Sequence, residues 1–160
     1  MLAACAGLPS GGTVVRTPPT LTEFEFDGRI AVRQSQSWHY ANIVWRHDKA
    51  GDEILLTTPL GQGMAELSRD ASGARLLTAD RKEYAASDWE GLSEQTFGIR
   101  LPLGDMPKWL TGHAPPAASG WRVEYLDYQS EAADALPTSM EARRDDIEVR
   151  LKINEWSRAR

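Results

Sequence analysis

From Phe24 onward, apolar and polar residues alternate along the chain with a period of two. Phe26, Gly28, Ile30 and Val32 alternate with Asp27, Arg29, Ala31 and Arg33, and Ile43 and Trp45 alternate with Asn42 and Arg46, Val44 breaking the polar row. Further on, Trp121, Val123 and Tyr125 stand against Arg122 and Glu124, and Ile147, Val149, Leu151 and Ile153 against Glu148, Arg150, Lys152 and Asn154. Successive side chains of a strand point to opposite faces, so each stretch predicts a strand with one apolar face. Turn chemistry separates them at residues 47–52, 59–61, 70–73, 79–82 and 145–146, all rich in Asp, Gly, Pro or Lys. Short strands punctuated in this way predict an antiparallel meander curled into a barrel or half-barrel.

Two stretches break the alternation. Asp88 to Phe97 reads as a helix, with Ser87 or Asp88 as its N-cap, Gly98 as its stop, and Trp89, Leu92 and Phe97 on its apolar side. A second helix is expected over Asp105 to Leu110, with Pro107 in its first turn, Gly112 just past its end, and Met106, Trp109 and Leu110 as its apolar stripe. Such helices beside an antiparallel sheet either close one mouth of a barrel over a hollow or plug its core.

Length and composition narrow the picture. The 160 residues fit one domain, and a chain of this size buries roughly two-thirds of its unfolded surface without a metal or disulfide staple. Its net charge of −5 argues against nucleic acid as a partner, since binding phosphates needs a basic stripe. The chemistry of catalysis is sparse: there is no G-x-S-x-G elbow, P-loop, G-x-G-x-x-G or H-E-x-x-H, so no catalytic residue, cofactor or metal is assigned. His39, His47 and His113 lack ligand spacing, and His47 with Asp48, Asp52 and Glu53 reads as a solvated hairpin turn rather than a cation site. In excess are large rings: six tryptophans, at 38, 45, 89, 109, 121 and 156, which fill a core or line a cavity for an apolar ligand.

The single cysteine lies in Leu2-Ala3-Ala4-Cys5, the pattern of a bacterial lipobox. Small residues suit the narrow subsites of the signal peptidase, and the thiol is the group that takes a diacylglycerol thioether; the plain alternative is a stray cysteine. Only Met1 precedes the motif, so residues 1–4 are expected to be the remnant of a leader, which elsewhere has a basic start and an apolar stretch. Residues 5–22, with Gly7, Pro9, Gly11, Gly12, Pro18 and Pro19 and no apolar period, read as a lipidated N-terminus and flexible tether reaching roughly 50 Å. Residues 23–160 form the folded domain. Ala6, which is not Asp, suits sorting to the outer membrane.

Gly28-Arg29-Ile30-Ala31-Val32, Trp45, Pro59-Leu60-Gly61 with Ala65 and Leu67, Leu101-Pro102-Leu103, Trp109-Leu110-Thr111-Gly112, Trp121-Arg122-Val123-Glu124-Tyr125, Leu136-Pro137, and Val149-Arg150-Leu151-Lys152-Ile153 with Trp156 follow one another in a familiar order. Together, over residues 24–156 and after a lipobox, they resemble the LolB family of outer-membrane lipoprotein receptors. That resemblance implies a mainly β fold with short helices, a half-open antiparallel β-barrel covered by a helical lid over an apolar cavity. It implies a lipid-anchored monomer on the periplasmic face of the outer membrane, which accepts lipoproteins from the periplasmic carrier LolA and inserts them into the membrane without nucleotide hydrolysis. The partners implied are a LolA-like carrier, lipoprotein acyl chains and outer-membrane lipid. An envelope scaffold with a filled barrel and protein partners only is the alternative, and a periplasmic hydrolase would need converging polar groups that the sequence does not offer.

On this reading Ile30, Val32, Ile43, Trp45, Trp109, Trp121, Val123, Val149 and Leu151 are the expected lining of the cavity, and Cys5 carries the lipid. Leu60, between Pro59 and Gly61 at a hairpin tip after strand Ile54–Thr57, either folds back or protrudes. The resemblance favours a protruding residue that enters the membrane.

Overall fold

The computed structural model describes residues 12–160. The expected alternation becomes nine strands: β1 (Phe24–Gln34), β2 (Ser37–His47), β3 (Asp52–Thr57), β4 (Gly63–Asp70), β5 (Gly73–Thr78), β6 (Glu83–Ala86), β7 (Arg122–Tyr128), β8 (Pro137–Arg144) and β9 (Ile147–Ala159). They form one antiparallel sheet in the order β6-β5-β4-β3-β2-β1-β9-β8-β7. Its edges, β6 and β7, do not pair with each other, so the sheet curls without closing into a barrel. Two bulges, between Glu25 and Phe26 and between Asp27 and Gly28, bend β1 against β9. Gly28 sits in that bend because a Cβ there would collide with the Lys152 carbonyl oxygen.

Helices cross the concave face between the two halves of the sheet. Helix α1 (Trp89–Phe97) begins where the Asp88 carboxylate accepts from the Gly91 N–H and ends where Gly98 turns left-handed at φ 72°. Helix α2 (Met106–Leu110) is a turn and a half long, with Pro107 at its start. The link from α2 to β7 carries a single 3₁₀ turn, Ala117–Ser119.

The sheet is packed solid at the end where β1 begins. Phe24 and Phe26 stack on each other, Trp156 meets both edge-on, and Trp45 leans on the same pair. Beneath Trp89 lies Asp52, only 2% exposed. Its carboxylate accepts from Trp45 Nε1 at 3.0 Å, pairs with His47 Nδ1 at 2.7 Å, and accepts from Arg69 at 2.6 and 2.9 Å. Reading 47–53 as a solvated turn therefore fails for Asp52, because the pleat of β3 aims it inward while Glu53 faces water.

The tether also differs from expectation over its second half. Arg16 donates to the carbonyls of Ser130 and Ala132 and stacks on the Tyr128 ring, and Thr17 N–H donates to Ala133. Beyond these, the Pro19 carbonyl lies 3.0 Å from His113 Nε2, and Leu21 packs on the core. A segment with no apolar period is here fastened by its backbone groups and one arginine, features that hydrophobic patterning does not register. Cys5 and residues 1–4 lie outside the described residues.

Candidate functional site

The strands are longer than the aromatic plug is deep. Beyond Trp45 the concave rows continue with smaller side chains, Ile43, Ala41 and His39 on β2 and Ile30, Val32 and Gln34 on β1. The helices bridge this part of the sheet rather than descending into it. The result is a hollow of about 430 Å³, within the usual range for ligand cavities. Its walls come from β1 to β4, β8 and β9, and its roof from Phe97, Ile99, Leu101, Pro102, Leu103, Met106 and Trp109. None of the lining residues is an Asp, Glu, Lys or Arg, and the polar side chains Gln34, His39 and Tyr40 sit toward the free tips of β1 and β2.

Several contacts hold the roof. Ser93, buried on α1, donates to the Glu90 carbonyl and accepts from the Leu101 N–H at 2.8 Å, which fixes the link between the helices. The Tyr125 hydroxyl donates to the Trp109 carbonyl at 2.7 Å and so fastens α2 to β7. Burial raises the Tyr125 pKa well above the ordinary phenol value, so it stays a donor at any physiological pH. Trp109 and Trp121 pack at 5.8 Å and close the side toward β7.

Of the residues expected to line a cavity, Ile30, Val32, Ile43, Trp45, Trp109, Trp121 and Val149 do face the hollow. Val123 and Leu151 do not. Leu151 pairs with Ile30 on one side and Met140 on the other, and is buried. Val123 pairs with Ala142, and it is Ala142, one strand further in, that faces the hollow. Period two puts both on the concave face, but α2, tied down at Tyr125, ends the hollow before it reaches them. Among the residues not anticipated are Ile54, Leu56 and Leu67 on β3 and β4, and Ile99, Leu101 and Leu103 of the helix link. The alternation of β3 carried a signal for Ile54 and Leu56; the link, having no period, carried none.

The six tryptophans divide among three places. Trp45, Trp109 and Trp121 line the hollow. Trp89 and Trp156 belong to the packed end, where Trp156 Nε1 donates to the Pro137 carbonyl. Trp38 lies on the convex face against Tyr40, beneath the Arg150 guanidinium at 4.5 Å.

Leu60 is 90% exposed. Its loop is nonetheless well tied, with Thr58 N–H donating to Gln62, Gly61 N–H to Thr58, and Asn42 Nδ2 to the Thr58 carbonyl at 3.1 Å. Gly61, at φ 86°, supplies the left-handed turn that leaves Leu60 outermost. The loop stands at the end of the sheet that carries the β1–β2 tip, where the hollow has its polar rim.

The sequence profile of the family described as "Outer membrane lipoprotein LolB" matches residues 22–156. The chain is 33% identical to "Outer-membrane lipoprotein LolB" of Azoarcus sp. (strain BH72), over 98% of this chain and 89% of that one. It is similar to the protein of that name from Dechloromonas aromatica (strain RCB), at 33% identity over 98% and 92% of the two chains. The protein of that name from Nitrosomonas europaea is 35% identical, over 83% of this chain and 72% of its own.

Proposed function

The chain belongs to the family of the outer-membrane lipoprotein LolB, and from that premise we propose that its hollow receives the acyl chains of lipoproteins brought by the periplasmic carrier LolA and releases them into the outer membrane. The observation that carries this reading is an apolar, charge-free hollow opening at the end of the sheet that bears Leu60. A scaffold with a filled barrel would have no such space.

The energetics need no nucleotide. Each methylene removed from water contributes about 0.8 kcal/mol, so an acyl chain passes only between apolar hosts. Transfer runs one way when this hollow binds the chain more tightly than the carrier does and the bilayer more tightly still. Cys5, as the lipid-bearing residue, anchors the receptor where the last step takes place, and more than one chain on it makes the anchor stable. Leu60 enters the bilayer and brings the mouth of the hollow to it.

A fluorescent acyl probe titrated into the protein tests the central step. Saturable binding, with displacement by a lipidated cargo, is expected; a probe that never saturates sinks the reading. Leu60→Glu is expected to leave carrier-to-receptor transfer intact and to impair delivery into liposomes, and delivery at the normal rate would remove the insertion role. Cys5→Ala that still delivers would assign membrane contact to Leu60 and anchoring alone to the lipid.

A further inference from the structure

Directly opposed like charges destabilise an antiparallel pair, and this sheet holds four such pairs: Arg29–Lys152 and Asp27–Glu155 between β1 and β9, and Arg122–Arg143 and Glu124–Glu141 between β7 and β8. On the convex face Arg29 of β1 stands directly opposite Lys152 of β9, and both are exposed. Among the described residues neither is paired with a carboxylate, and residues 1–11 contain no acid. The neighbouring cations are compensated: Arg150 pairs with Glu148 and Glu141, and Arg33 with Glu148. The row through Arg29 and Lys152 ends in further hydrogen-bonding groups, Asn42 on one side and Ser139 on the other. These four residues lie in a surface groove of about 520 Å³ that also holds the Glu141–Arg150 ion pair, and whose rim carries Tyr40, 60% exposed, and Leu126, 52% exposed.

The groove is continuous with the Leu60 loop. Pro59 forms part of its wall, and Asn42, a member of the cationic row, holds the base of the loop through the Thr58 carbonyl. Asn42 pairs with Thr57, the last residue before the loop, so the row lies level with the loop's root. At about 4.8 Å per strand, Arg29 and Lys152 are roughly 10 and 14 Å from it.

We propose that this row binds the phosphates of anionic phospholipids in the membrane surface that Leu60 enters, and so sets the tilt of the domain on the bilayer. A side chain placed in hydrocarbon brings the root of its loop, and the row level with that root, toward headgroup depth, where Tyr is also at home. A net charge of −5 repels the chain from an anionic leaflet as a whole. Two cations without an ion-pair partner, with the acids Asp27 and Glu155 one step further from the insertion loop, turn that repulsion into an orienting force. The occupant rests on the insertion role of Leu60, whereas the unpaired cations do not.

The test is partition of the full chain, carrying Cys5→Ala to remove the anchor, onto phosphatidylglycerol-containing and pure phosphatidylcholine vesicles. Arg29→Gln with Lys152→Gln is expected to weaken binding to the anionic vesicles by about five-fold per cation, to flatten its salt dependence, and to leave binding to neutral vesicles unchanged. Its melting temperature stays level or rises, because a like-charge contact is relieved, and Arg29→Lys keeps most of the anionic preference. Leu60→Glu lowers binding to both vesicles; if it does not, the insertion role fails while the cation effect still stands. The proposal is overturned if the double variant binds anionic vesicles like its parent, or if it loses affinity only for the carrier protein.

Discussion

The two ends of the half-barrel are made from the same strands and behave as opposites. At one end Trp45 and Trp156 pack on Phe24 and Phe26, and Trp89 joins Trp45 in donating to the buried Asp52. At the other, Ile30, Val32, Ile43, Ala142 and Val149 face a space that the helices roof without filling. At the packed end the rings of three adjacent strands lie against one another, whereas the smaller side chains of the same strands leave a space beneath the helices. Stability is therefore concentrated at the packed end, which lets the other hold a hollow open.

Deleting a group at the packed end should cost most. Asp52→Ala removes the acceptor of a buried network and leaves Arg69 and two indole N–H groups unpaired, at about 3–5 kcal/mol in chemical denaturation. The same carboxyl sets an acid limit. Burial pushes its pKa up, but hydrogen bonds from His47, Trp45 and Arg69 outweigh that and hold it below the ordinary value. Its contribution is thus present above about pH 4, the unfolded value, and fades as pH falls through the lower folded one. Asp52→Asn should flatten the loss of stability measured from pH 5 downward.

Phe26→Ala should cost about 3–5 kcal/mol, since nothing can collapse into the gap among three other rings. Val32→Ala at the open end should cost clearly less, because its side chain already borders free space. Equal losses in urea melts would erase the distinction between the ends. Tyr125→Phe removes the hydroxyl that ties α2 to β7, a change of about 0.5–1.5 kcal/mol, and should speed acyl-probe release in stopped flow more than it lowers stability. Smallest in stability is Ala142→Leu, which grows into the hollow. Melting should stay near that of the parent while probe affinity falls, and unchanged affinity would place the probe elsewhere.

The strands β1, β2, β3, β7 and β9, both helices and the stop at Gly98 were legible from residue order, because pleat and helix periods are local properties of the backbone, whereas the choice of Asp88 over Ser87 as N-cap came from the structure. The face of Trp38 was not read from the sequence: only the full length of β2, Ser37–His47, puts it seven positions from Trp45 on one strand and hence on the opposite face. Leu60 could be singled out between a proline and a glycine, but only the loop's hydrogen bonds to Thr58 decide that it points outward.

What lies across the curl was not legible. Val123 and Leu151 have the same alternation as Val32 and Val149, yet only the second pair faces the hollow, because α2 touches down at Tyr125. The inward turn of Asp52, the fastening of residues 16–22, and the meeting of Arg29 with Lys152 from opposite ends of the chain are likewise contacts between distant segments. By itself the sequence determined which face of each strand is apolar and where each element stops. Tertiary structure alone decided which apolar residues touch one another and which are left facing space, since that depends on how far apart the helices and the curled sheet come to rest.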